Sequence, residues 1–236
     1  MECNFLNKKC LLLVLFFCTL MVAAGDTVGR DLVITPRQTE GPFYPDKYPV
    51  DTDNDLVVIN NSTQKAGGDI VHLTGVITDS KGKPLENAVI EIWQADSNRV
   101  YIHSQSPDQE KRDKNFQGFG RVITGSSGEY YFRTLMPVSY TMGRITRAPH
   151  IHFLVMVNGK RMLTSQIYIK GNGLNDRDMV LQGIKNKKQR EALQPEFVPQ
   201  KNEDNEYYVN FNIVIGTVSE NPGDDRTRYL DGSIVE

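Results

Sequence analysis

The sequence predicts an all-β domain: an antiparallel β-sandwich with long loops and little helix. Three observations carry this reading. Short runs of strand formers recur between turn signals from Ile70 to Ile215, and apolar and polar residues alternate in the clearest of them. Asn158-Gly159, a two-residue hairpin signal, separates two of the runs.

Each segment follows in order. Lys8 and Lys9 precede an apolar run from Cys10 to Val22, and Ala23, Ala24 and Gly25 follow, which is the layout of a cleavable secretory signal over residues 1–24. The run falls short of the roughly 20 residues that span a bilayer, which disfavours a signal anchor. Residues 25–68 read as an extended arm. Its TEGPFYPD stretch, Thr39 to Asp46, holds Pro42 and Pro45, which exclude a regular helix or central strand. Asn60 and Asn61 head two overlapping glycosylation sequons. Residues 69–216 form the expected sandwich, and 217–236 read as a tail.

Within the sandwich, Ile70–Thr78 alternates as a strand with Val71, Leu73, Gly75 and Ile77 on one face. Asp79 to Pro84 is a turn, Ala88–Trp93 is the next strand, and the two together predict a hairpin. Gln94 to Phe119 lacks either period and is too aromatic for plain disorder, so it reads as a functional loop. Strands follow at Gly120–Thr124, Glu129–Thr134, His150–Val157 and Met162–Ile169. A weakly helical interval spans Asp176–Leu193, and a final strand spans Tyr207–Ile215. No internal repeat or second domain is visible.

Composition narrows the function. At 236 residues and 39% hydrophobic, the chain can bury a full core as one domain. Its net charge is −2 with Lys and Arg scattered, which points to neither nucleic acid nor an anionic membrane surface. Loss of the signal removes Lys8, Lys9 and Glu2, so the mature charge becomes −3. Cys3, Cys10 and Cys18, all the cysteines, lie within the signal. The mature chain therefore has no disulfide, and any metal it holds must take nitrogen and oxygen ligands.

The densest chemistry lies in YTMGRITRAPHIHF, Tyr140 to Phe153. Two of the four histidines, His150 and His152, stand two apart in a strand-forming run and so share one face, as two metal ligands would. Pro149 favours extension there. Taken singly, each such His or Tyr reads more readily as a hydrogen-bonded or core residue.

Several stretches in order change that weighting: TEGPFYPD, GVITDSKGKPLENAVIEIWQAD, Tyr101, DKNFQGFGRVIT, YFRTLMPVSY, RAPHIHF and LTSQIYI. Together they resemble the intradiol ring-cleavage dioxygenases, the non-heme Fe(III) family of catechol 1,2-dioxygenases and protocatechuate 3,4-dioxygenases, over Thr39 to Gly216. The resemblance implies an Fe(III) cofactor held by Tyr101, Tyr140, His150 and His152. It also implies a catechol substrate opened by O2 between its hydroxylated carbons to a cis,cis-muconate type product. Tyr140 and Arg147 would be catalytic with Gln166, and Pro42, Phe43 and Arg147 would contact substrate. Phenolates suit a hard trivalent cation, which lowers the Tyr pKa from about 10. Arg144, Arg121 and Tyr168 compete less well with Arg147 and Gln166. His103 is expected to support the ligands or the loop, His72 to be structural, and Asn115, Phe116 and Gly120 to anchor the loop.

The chain departs from the family pattern in places. Arg99 stands where the family often has Gly, Gly125 where it often has Asp, and Thr146 and Ala148-Pro149 flank the arginine. The helical dimerisation segment of typical catechol 1,2-dioxygenases has no counterpart, so a monomer, or an oligomer built differently, is expected, secreted and with no membrane attachment once the signal is cleaved. Two alternatives remain at this point. One is a secreted, non-catalytic, transthyretin-like β-sandwich binding module, since the Gly75–Trp93 pattern also occurs there. The other is copper or zinc on the same histidines, which two tyrosines suit poorly.

Overall fold

The structure is a computed structural model that describes residues 32–201 and 204–216. The expected signal (1–24), the first residues of the arm and the tail (217–236) lie outside the described residues. The described residues form eleven strands: β1 Ile70–Asp79, β2 Val89–Trp93, β3 Phe119–Ile123, β4 Glu129–Leu135, β5 Tyr140–Met142, β6 Ile145–Arg147, β7 His150–Val157, β8 Lys160–Tyr168, β9 Val198–Pro199, β10 Glu206–Asn210 and β11 Ile213–Ile215. Helix among the described residues is confined to two α-helices, α1 Met179–Gln182 and α2 Lys187–Ala192, and two 3₁₀ turns, Gln109–Lys111 and Asn175–Arg177.

Two sheets form the sandwich. In the first, β1 is the hub: β4 pairs with it antiparallel, while β10 and β11 join it in parallel, and β9 closes the edge of β10. The second is the antiparallel sheet β3-β2-β7-β8. Alternation along β1 sends Val71, Leu73, Gly75 and Ile77 inward, as its pattern requires. From the facing sheet, Ile90, Ile92, Ile151, Phe153 and Val155 meet them in one apolar core.

Two sequence expectations need correction. β1 and β2 are not a hairpin: β1 lies in the first sheet and β2 in the second, and the bridge Thr78↔Pro84 ties the end of β1 only to the turn that follows it. A turn signal between two alternating runs does not distinguish a hairpin from a crossing between layers, because both leave each strand one apolar face. The last strand is also broken. Gly75 lets Phe211 press onto β1, where an added Cβ would lie 1.9 Å from the Phe211 oxygen. Asn212 then turns its side chain to accept the Val76 N–H at 3.0 Å, satisfying a donor that a continuous strand would have paired. The turn at Asn158-Gly159 fits its sequence, since both residues have positive φ, 52° and 74°.

One further hairpin, β5–β6, is invisible to a search for long alternating runs. Gly143, at φ 61°, fills the first connecting position, and the pairing sets Tyr140 opposite Arg147.

Residues 32–68 contain no helix or strand, only the bridge Asp55↔Arg133. They lie on the sandwich through specific bonds. Thr35 N donates to Val214 O at 3.0 Å, Gln38 N to Thr164 O at 2.9 Å, and Ser165 Oγ to Pro36 O at 2.7 Å. Gly120 makes room for this segment, since a Cβ there would meet Asp53 O at 2.7 Å. Asn60 and Asn61 are both exposed, as a glycan acceptor must be.

Candidate active site and metal centre

Strand periodicity assigns β7 two different faces. Ile151, Phe153 and Val155 enter the core, so His150, His152 and Leu154 must face the other way, which in an ordinary sandwich would be solvent. Here that face is covered. Phe43 from the arm, Trp93, Ala95, Tyr101, Phe119, Tyr140 and Leu154 form a second buried cluster. The site therefore lies on the outer face of the second sheet, under the arm and the 94–118 loop.

The two imidazoles meet with Nε2 atoms 3.0 Å apart, and the Tyr101 hydroxyl lies 3.4 Å from His150 Nε2. Tyr140 joins them, its ring centroid 5.4 Å from that of Tyr101 and 5.7 Å from that of His150. Trp93 stacks on His152 at 4.9 Å and 11°, and Phe43 stacks on Tyr101 at 5.0 Å. Gly41, in the left-handed region at φ 74°, brings the arm onto His152, whose Cε1 would be 3.4 Å from an added Cβ.

Protonation follows from these contacts. His150 Nδ1 lies 2.6 Å from Ala148 O, an acceptor, so Nδ1 carries the proton and Nε2 keeps a lone pair. His152 Nδ1 is buried without a hydrogen-bond partner, so nothing pins its proton away from Nδ1, and its Nε2 is equally able to offer a lone pair. Burial, and then the Arg147 charge, holds His150 well below the ordinary imidazole value, and burial with the neighbouring His150 does the same to His152. Both are neutral near pH 7, as metal ligands must be. Burial raises Tyr101 well above its ordinary value, and it raises Tyr140 against the opposing pull of Arg147. Without a cation both phenols keep their protons; a cation at this point would reverse that.

Two neutral imidazole nitrogens beside two phenols form an N2O2 donor set, which fits a hard trivalent ion better than a soft one. Among the described residues no three His, Cys, Asp or Glu side chains gather as a metal site, and the two phenols are the anionic donors that could complete the set around an ion held by these imidazoles.

Arg147 stands behind this cluster, fixed from several sides. Its Nε donates to Asp178 Oδ2 at 2.8 Å, and its Nη2 donates to Gln166 Oε1 at 2.6 Å and to the Tyr168 hydroxyl at 3.3 Å. Asp178 is wholly buried and also accepts the N–H groups of Ala148, Val180 and Leu181. Burial alone would raise its pKa; the Arg147 hydrogen bonds and charge outweigh that and hold it below the usual carboxylate range. Gln166, opposite His152 in the β7–β8 register, accepts from Arg147 and from Tyr168 and donates to Thr39 O at 3.1 Å.

The other sequence candidates divide. Phe43 is buried against the cluster, whereas Pro42 beside it is exposed and outside the cavity lining. Arg121 is held by buried Glu91, and Arg144 is exposed at the β5–β6 turn. Tyr168 belongs to the Arg147 network after all. His103 is half-buried and accepts the Gln105 N–H at 3.0 Å, and Asn115 N donates to Asp113 Oδ1 at 2.9 Å, both within loop turns. Phe116 is core. Sequence reasoning missed Asp178, although an Asp directly before Met-Val-Leu is a helix N-cap signal, and Asp178 does cap α1. Its second duty, toward Arg147, has no sequence signature.

A cavity of about 300 Å³ opens beside Tyr101 and Tyr140, lined also by Phe43, Arg99, Asp108 and Lys111. The loop behind it is tied down: Gln109 Nε2 donates to Tyr101 O at 2.8 Å and to His103 O at 3.1 Å, and Asp96 accepts the Asp113 N–H at 2.6 Å.

Comparison with known proteins agrees with this geometry. The sequence model of the family described as Dioxygenase matches residues 39–217. Catechol 1,2-dioxygenase 1 of Acinetobacter lwoffii is 37% identical over 154 residues, 59% of this chain and 48% of that protein. The protocatechuate 3,4-dioxygenase beta chain of Burkholderia cepacia is 33% identical over 154 residues, 62% of this chain and 64% of that one. The chain thus spans about half to under two thirds of the length of these relatives. An intradiol ring-cleavage dioxygenase from Tetranychus urticae shares the fold, with TM-score 0.61 at 20% identity, covering 83% of this chain and 98% of that chain. With the family match extending over most of the chain and the described fold in agreement, this protein belongs to the intradiol ring-cleavage dioxygenase family.

Proposed function

We propose that the chain is an Fe(III)-dependent dioxygenase that uses O2 to open a catechol between its hydroxylated carbons, giving a cis,cis-muconate type diacid. One observation carries the reading: two bare imidazole nitrogens and two phenols converge beside a cavity that can admit a ring. Tyr101, Tyr140, His150 and His152 would hold the iron, which supplies the Lewis acidity and redox reactivity toward O2.

The chain's own residues supply the rest. Tyr140 is the most exposed of the four, 7% against 1–2% for the others, and it stands on the short β5–β6 hairpin. It is the phenol a diol reaches first and the one free to take a proton at its oxygen. Tyr101, stacked on Phe43 in the braced loop, stays in place. Arg147, whose guanidinium cannot lose its proton, is oriented in advance by Asp178 and Gln166 to stabilise negative charge developing on the ring. Phe43 and Trp93 exclude water from the imidazoles.

Export is part of the proposal and rests on the leader-like 1–24, as does action on phenolics outside the cell. The test is direct. Purified protein should contain about one iron per chain, by the single donor set above, and absorb in the visible from phenolate-to-iron charge transfer. With catechol it should consume O2 and release a diacid carrying both oxygen atoms. Tyr140→Phe should keep iron but bind catechol slowly under anaerobic stopped-flow conditions. A colourless protein that stays iron-free after reconstitution overturns the proposal.

A further inference from the structure

The turn that carries Tyr101 into the site is built on Asp96. Its backbone oxygen accepts the Arg99 N–H at 2.9 Å, and its carboxylate accepts the N–H groups of Asn98 and Val100, each at 2.9 Å. This geometry forces Arg99 to φ 70°, the left-handed region that glycine enters without strain and a long side chain rarely enters. The side chain is exposed, lines the cavity, and has no hydrogen-bond or ion-pair partner among the described residues.

The other charged groups of the lining neutralise each other. Lys111 pairs with Asp108 at 3.0 Å, and Asn98 Nδ2 donates to Lys111 O at 2.8 Å, tying this pair to the Arg99 turn. The cavity wall is left with one uncompensated positive charge. Space is also left over: a cavity of about 150 Å³ accommodates a benzene ring, and this one measures about 300 Å³. A catechol whose diol reaches Tyr101 and Tyr140 therefore has room for a substituent along the wall that Arg99 lines.

We propose that Arg99 selects the substrate, its planar guanidinium fork pairing with the carboxylate of a catechol acid of the dihydroxybenzoate or dihydroxycinnamate class. This deepens the ring-cleavage reading and rests on it. A carboxylate matches the fork in both charge and geometry, which a neutral alkyl or halogen substituent does not.

The iron-loaded protein and its Arg99→Gly, Arg99→Lys and Arg99→Glu variants should be compared on 3,4-dihydroxybenzoate and on neutral 4-methylcatechol. The readouts are steady-state kinetics and anaerobic isothermal titration of both compounds. The wild type should favour the acid, and the preference should shrink as salt rises. Arg99→Gly should lower the acid-to-neutral ratio of kcat/KM about tenfold, through KM and with a matching loss in Kd, as removal of a charge-assisted pair does. Its Tm should equal or exceed that of the wild type, because glycine relieves the backbone. Arg99→Glu should lower the ratio further and Arg99→Lys restore part of it. An unchanged ratio in Arg99→Gly, or a wild type with no preference for the acid at low salt, overturns the assignment. If the wild type cleaves neither compound yet binds the acid in an Arg99-dependent way, the ring-cleavage reading falls and the anion site stands.

Discussion

His72 and the His150–His152 pair occupy equivalent places, each on the outer face of one sheet of the sandwich, yet they are treated in opposite ways. His72 Nε2 lies 2.7 Å from Glu206 and Nδ1 lies 2.8 Å from the Tyr131 hydroxyl, and its ring is stacked between Tyr131 and Tyr208. Both nitrogens are committed to the protein. His150 and His152 have no carboxylate; one backbone oxygen orients the first, and their Nε2 atoms point at each other. Two lone pairs turned together in a buried place are unfavourable unless a proton or a cation lies between them. A histidine's partners, more than its burial, therefore separate a structural imidazole from a ligand.

Removing a ligand should have the largest effect. His150→Ala or His152→Ala should lower iron affinity more than about 100-fold, beyond the 10–100-fold typical of residues that only support ligands, while His72→Ala retains full iron by metal analysis. Equal retention in all three would remove the ligand assignment.

The Arg147–Asp178 pair should give the next largest effect. Arg147→Ala removes a preorganised charge and should lower kcat about 10²–10³-fold with iron retained. It also leaves Asp178 buried without its counter-ion, so urea unfolding should show a loss of about 3–5 kcal/mol. Asp178→Asn should lower kcat less and leave KM nearly unchanged, because the guanidinium remains but is less well aimed. A wild-type kcat in Asp178→Asn would mean that the other contacts of Arg147 suffice to orient it.

Acid should sharpen the contrast further. In the unfolded chain each histidine takes up a proton below about pH 6.5, whereas buried His150 and His152 stay neutral, so the unfolded state binds more protons. Stability of the iron-free protein is then full above that pH and falls as the pH drops, by about 1.4 kcal/mol per pH unit for each histidine. The depressed Asp178 adds a loss of the same sign at lower pH, as its carboxylate protonates. Denaturant titrations between pH 7 and 5 should show this slope flattened in the His150→Gln, His152→Gln double variant. The smallest effect is on stability in His72→Ala itself: its partly exposed pair with Glu206 should cost no more than about 1 kcal/mol.

Much of this was legible before any coordinates. Alternation in β1 gave away which of its residues face inward, because period two is a property of the extended chain itself. The same period put His150 and His152 on one face, and Asn158-Gly159 named its own turn, since both residues tolerate positive φ. What lay beyond reach involved partners distant in sequence. Whether β1 and β2 pair or part into separate layers depends on which strands compete for each edge. That Asp178 anchors Arg147, from 31 residues away, depends on the fold bringing the N-cap of α1 to the end of β6.

Sequence alone was enough for the longer strands, for the inward face of β1 and for the residue types able to hold a metal, because those follow from local periodicity and side-chain chemistry. Tertiary structure alone decided that the histidine face is covered rather than wet. The arm and the 94–118 loop close over it, and that burial holds the imidazoles neutral even below the ordinary imidazole pKa, brings two phenols to them and leaves Arg99 on the cavity wall.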